Sequence, residues 1–93
     1  MEYQPYITKS IKYEFIFVSG RPMGVKCVIT TVDGAEAIGV SRCDIFNGDE
    51  FSAQFGISLA HNRATFALNT WTNSFFANGH TCTKYIRPKR QPR

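Results

Sequence analysis

No stretch of this 93-residue chain approaches the roughly 20 consecutive apolar residues that a membrane-spanning helix requires. Met1-Glu2-Tyr3-Gln4-Pro5 lacks the basic start and apolar run of a secretory signal. Cysteine is sparse and odd in number: Cys27, Cys43 and Cys82, with no C-x-x-C pair. Small secreted domains more often carry an even disulfide set. These absences predict a cytoplasmic protein with free thiols that makes no use of a membrane. Cys27 reads as a buried small hydrophobe.

The residues that chemistry needs are equally thin. The only histidines are His61 and His80, and a nucleophile with a base and an orienting group has little to be built from. His61-Asn62-Arg63 reads as a polar helix face. His80-x-Cys82, with Cys43 as a third group, falls short of the four paired ligands of structural zinc. Asp44, Asp49 and Glu50 cluster in sequence, but a helix start explains the last two through the helix dipole. Gly20, Gly24, Gly34 and Gly39 have neither dinucleotide-loop nor phosphate-loop spacing. The expectation is a protein that is not an enzyme, with no catalytic residue, no metal ligand and no cofactor.

What is present is a core and a tail. Hydrophobic residues make up 43% of the chain and aromatics 14%, enough to exclude disorder, and the length suits one domain. The net charge of +4 is unevenly placed. Residues 1–83 hold six Lys/Arg against all seven acids, a net of −1, while residues 84–93 hold five Lys/Arg and no acid. The basicity is therefore C-terminal.

Three strand patterns come first. Residues 11–18, IKYEFIFV, set Tyr13, Phe15 and Phe17 on one face against Lys12 and Glu14 on the other. A turn is expected over residues 20–24, where Pro22 fixes a corner between two glycines. Residues 25–32, VKCVITTV, are β-branched and strand-forming. Asp33-Gly34 then predicts a tight type I′ hairpin into residues 35–43, AEAIGVSRC. Ala35, Ala37, Gly39 and Ser41 make one face of that strand small, which lets a helix lie close.

From Asp49 the period changes. Phe51, Phe55, Leu59, Arg63 and Phe66 recur at helical spacing beside an alanine stripe of Ala60, Ala64 and Ala67. Gly56 inside that pattern marks a close approach to the sheet. The helix is read as continuing through Trp71 to Phe76, with fraying last turns, and stopping at Asn78-Gly79. The resulting expectation is an α+β fold: a three-stranded antiparallel sheet, one long helix packed on one face, and a flexible basic C-terminal tail. Its parts are an N-terminal arm (1–10), a β-β-β-α domain (11–79) and the tail (80–93). One helix leaves the second sheet face open. Either the first ten residues, with Tyr3, Tyr6 and Ile7, fold over it, or a second subunit does and the protein is a homodimer.

Gly39-Val40-Ser41-Arg42-Cys43, followed by Asp49-x-Phe51, Gly56, Leu59-Ala60 and Arg63-Ala64, resembles small phage and prophage proteins. In these a strand ending in a Lys/Arg-Cys pair leads into a helix patterned D-x-F-x4-G-x2-L-A-x2-R-A. The segment is more distantly similar to actinobacterial dormancy-associated small proteins with a double-stranded-RNA-binding-like shape, themselves likened to ribosome hibernation factors. The likeness covers residues 35–68. It implies the β-β-β-α fold and a phage-type origin, and carries no catalytic residue. The chain departs from it at residues 68–76, which are neutral where such proteins have a basic helix end.

Two features point to a partner. Trp71, Phe75 and Phe76 stand at helical spacing and suit a hot-spot patch. Lys84, Tyr85, Arg87, Lys89, Arg90 and Arg93 form an arm in which cations would contact phosphates and Tyr85 would stack on a base. The reading favoured by the sequence is a phage-type accessory protein that binds and modulates a host protein or nucleoprotein complex, as an anti-defence inhibitor would. The alternative is a nucleic-acid or ribosome binder anchored by the arm.

Overall fold

The computed structural model describes residues 8–45 and 48–88. The elements run β1 (Thr8–Val18), β2 (Arg21–Thr31), β3 (Glu36–Arg42), α1 (Ala53–Thr70), β4 (Ser74–Phe75) and β5 (Thr81–Ile86). They form one antiparallel sheet in the order β1-β2-β3-β5-β4, with α1 across one face. The α+β class and the single helix on an antiparallel sheet match the expectation. The strand count does not, for the sheet has five strands rather than three. Residues 81–86 alternate Thr81, Thr83 and Tyr85 with Cys82, Lys84 and Ile86, and β-branched and aromatic residues at every second position suit a pleated strand. Read as part of a basic tail, that alternation was hidden by its lysine.

Short-range rules decide the turns, though at different residues from those predicted. Ser19 (φ 51°) and Gly20 (φ 76°) both lie in the left-handed region between Val18 and Arg21. The two-residue turn with positive φ at both centres therefore sits here. Arg21, Pro22, Met23 and Gly24 already belong to β2. Asp33-Gly34 does make a hairpin, but through a three-residue loop. The Thr31 amide donates to the Ala35 carbonyl at 2.9 Å and the Gly34 amide to the Thr31 carbonyl at 3.1 Å, with positive φ at Gly34. Residues 76–80 repeat that pattern: Phe76 donates to the His80 carbonyl at 2.8 Å and Gly79 to the Phe76 carbonyl at 2.9 Å. Asn78-Gly79 thus turns β4 into β5 and is not the helix stop.

The helix is shorter at both ends than the periodicity implies. Its N-cap is Ser52, whose Oγ accepts from the Phe55 amide at 3.2 Å. Asp49 instead braces the preceding loop, its Oδ2 accepting from the Asp44 amide at 3.3 Å. At the other end Trp71 turns left-handed (φ 58°) and its amide donates to the Ala67 carbonyl at 2.7 Å. Residues 72–76 leave the helix because Thr72, Asn73 and Ser74 spend their side chains on other backbone and strand groups.

The core lies where small residues let helix and sheet meet. Val25, Cys27 and Ile29 of β2 and Ala37 of β3 pack against Ala60, Ala64, Ala67 and Leu68, all buried. A Cβ on Gly39 would overlap the Ala60 carbonyl oxygen and the Ala64 amide nitrogen, so α1 crosses β3 backbone to backbone. At Gly56 a Cβ would come within 2.9 Å of Val25 Cγ2. Both close approaches follow the small-residue reading of β3 and of Gly56. Ser41 completes the contact, donating to the Gly56 carbonyl at 2.9 Å.

The opposite sheet face has no covering element among the described residues. Residues 8–10 extend β1 rather than crossing that face, and Tyr3, Tyr6 and Ile7 lie outside the described residues. Among the described residues no helix is long and apolar enough to cross a membrane.

Candidate functional site

The aromatic residues singled out in the sequence do not form one helical stripe, because α1 ends before them. Phe75 lies in β4 and is exposed. Phe76 receives the Arg63 guanidinium 5.5 Å from its ring centre, while Arg63 Nη1 donates to the Val40 carbonyl at 2.8 Å. Arg63 is therefore a strut between helix and sheet edge rather than part of a solvated polar face. Trp71, 68% exposed, goes elsewhere: it stacks on Tyr85 with ring centres 5.8 Å apart and an interplanar angle of 21°. The fold thus joins one residue from the predicted patch to one from the predicted arm.

Several local devices hold this pair. The left-handed turn at Trp71 projects the indole off the helix end, a conformation bulky side chains rarely adopt. Tyr85 stands opposite Ala37 on the helix-bearing face, where the small neighbour leaves room for a ring. Asn73 Oδ1 accepts from the Tyr85 amide at 2.8 Å. Ser74 Oγ and Thr83 Oγ1 lie 2.7 Å apart in a hydrogen bond, and Thr83 Oγ1 also donates to the Thr72 carbonyl at 3.4 Å. Residues 72–74 therefore clip β5 to the helix end and set Tyr85 beneath Trp71.

Around the stack opens a cleft of about 470 Å³, lined by Thr31, Asp33, Ala35, Leu68, Trp71, Tyr85, Arg87 and Pro88. Its walls combine an aromatic pair, a cation and a carboxylate. Asp33 is fixed by the Thr31 hydroxyl, which donates to its Oδ1. Lys84 is exposed on the reverse side of β5, and Arg87 is exposed just beyond the strand. Lys89, Arg90 and Arg93 of the predicted arm lie outside the described residues.

Cys43, Asp44 and Asp49 stand apart from this cleft. Burial pushes the Cys43 thiol up from its ordinary value, and the nearby Asp49 and Asp44 carboxylates add to the shift. Cys43 is accordingly held as the weakly nucleophilic neutral thiol. Among the described residues no three His, Cys, Asp or Glu side chains are grouped as a metal site.

The sequence reading missed the charge pattern of the open sheet face. Strand register places Lys12, Lys26, Arg42 and Lys84 on that side with Glu14 and Glu36, among Val28, Ile38 and Ile86. Period-two alternation was the available signal, but it needed β5 to be recognised as a strand. Comparison of the chain with protein-family models, with curated proteins and with solved structures finds no match.

Proposed function

We propose that this is a non-enzymatic accessory protein of phage type that binds and modulates a host macromolecular complex in the host cytoplasm, with the Trp71–Tyr85 cleft as its principal contact. The observation that supports this is Trp71 itself: two-thirds exposed, left-handed, and pinned on Tyr85. An exposed indole costs hydration free energy, and a left-handed bulky residue costs about 1–2 kcal/mol of backbone strain. A partner that covers the indole removes the first cost, and the second is the cost of holding a rigid tryptophan in place, the residue type most enriched at interface hot spots. Arg87 and Asp33 flank the indole with opposite charges and would orient the partner.

A second reading has its own support. Lys84 and Arg87 bracket Tyr85 along the chain, and the open sheet face gathers four cations against two acids. Single-stranded nucleic acid would either stack a base on the aromatic pair with a phosphate at Arg87, which lines the cleft, or lay its phosphates along the basic sheet face behind it.

Photocrosslinking tests both readings. A benzoylphenylalanine in place of Thr70, exposed and next to Trp71 in the chain, is expected in host cells to crosslink to a discrete host protein, whereas the same group at Gln54, at the far end of α1, is not. Crosslinks to nucleic acid alone would move the assignment to the second reading. No crosslink from position 70 would rule out the cleft as the contact.

A further inference from the structure

The sheet treats its two edges differently. One edge is β4, only two residues long. The other is β1, eleven residues without proline or glycine, and among the described residues no strand pairs with its outer side. Long free edges are templates for pairing, and folds usually shorten, bend or charge them to prevent it. Here β1 has bulges only near its ends, between Thr8 and Ser10 and between Ile16 and Phe17. Its regular run is therefore residues 10–16, and the midpoint of that run is Tyr13.

The side chains of this run are symmetric about Tyr13. On the helix-bearing face Ile11, Tyr13 and Phe15 are each 42% exposed, because α1 lies over β2 and β3. Phe15 makes an edge-on contact with Phe51, ring centres 5.8 Å apart. On the reverse face Lys12 and Glu14 flank the midpoint with opposite charges.

From this we infer that β1 pairs antiparallel with β1 of a second copy, about a twofold axis through Tyr13 normal to the sheet. Residues directly opposite one another then share a face. Tyr13 meets its own counterpart, Ile11 meets Phe15 of the second copy, and Lys12 meets Glu14 twice over. Sliding the register by one same-face step sets Lys12 against Lys12 or Glu14 against Glu14, and like charges directly opposite are destabilising. The charge pattern thus selects one register.

The same geometry limits growth. After pairing, the edges left free among the described residues are the two short β4 strands, so the assembly closes at two copies. β5, which carries Tyr85, is separated from β1 by β2 and β3, and the inference is independent of what the cleft binds.

Sedimentation of the full chain tests it. The expected species has twice the 10.5 kDa chain mass. Glu14→Lys and Lys12→Glu should each weaken the dimer at least tenfold, with circular dichroism showing a retained fold. Mixing these two variants should restore association as a heterodimer, and the double swap Lys12→Glu/Glu14→Lys should restore the homodimer. Each wild-type chain running as a monomer would overturn the inference, including the case where residues 1–7 occupy the edge. A dimer indifferent to Glu14→Lys, or variants that fail to rescue each other on mixing, would overturn it equally.

Discussion

Cys27 has no exposed surface and stands beside Tyr13 across the β1–β2 pair. Burial pushes its thiol above the ordinary 9.0, partly opposed by a hydrogen bond with Tyr13. The Tyr13 phenol is in turn raised above 10.0, by desolvation first and then by Cys27. In the unfolded chain each group releases its proton at the lower, ordinary value. Stability is therefore complete below about pH 9 and falls as pH rises through the folded values. A lower urea midpoint at about pH 10 than at pH 7, with the difference reduced in Cys27→Ala, is the expected result. Alkylation should follow exposure and thiolate character: half-buried Cys82 reacts in the native protein, Cys43 more slowly because its pKa is raised, and Cys27 only after unfolding. Trp71 allows a sharper separation. Trp71→Gly relieves left-handed strain and loses the Tyr85 stack, effects of similar size, so stability should change by no more than about 1 kcal/mol. Partner binding should nevertheless fall at least tenfold.

The union of α1 with β3 depends on the absence of side chains at Gly39 and Gly56. Gly39→Ala forces a Cβ into helix backbone, which cannot rotate aside, and should cost about 3 kcal/mol by urea denaturation. Ser52→Ala removes only a cap on an exposed helix start and should cost about 1 kcal/mol. These elements also mark what the sequence made legible. The first three strands, the small face of β3 and the helical period with its close approach at Gly56 all follow from local pattern. The N-cap was misplaced because Asp49 and Glu50 are good helix-start residues, whereas Asp49 braces the loop and Ser52 caps the helix. The helix end was misplaced because Trp71, Phe75 and Phe76 happen to keep helical spacing. Spacing alone does not register the left-handed turn or the hydrogen bonds that pull residues 72–74 onto β5.

At the scale of the whole molecule, β5 changes the functional picture. Once residues 81–86 join the sheet, Tyr85 is a rigid platform rather than part of a tail, and Trp71 meets it. Neither residue's sequence neighbourhood announces the other, since the contact is made by a hairpin that the basic composition concealed. The assembled molecule presents the cleft on the helix-bearing side and a mixed basic and apolar sheet face behind it. A nucleic-acid contact through that basic surface should weaken steeply between low and moderate salt, and a predominantly apolar protein contact should not.

Trp71 is the single tryptophan of the chain, so its fluorescence reports on the cleft without labelling. The most direct test is acrylamide quenching of that emission, free and in the presence of the host species captured by crosslinking, with nucleic acids titrated in parallel. Strong quenching of the free protein and a several-fold protection in the complex are the expected results. A complex that co-elutes while Trp71 stays as accessible as before would contradict them, and would place the contact elsewhere on the molecule.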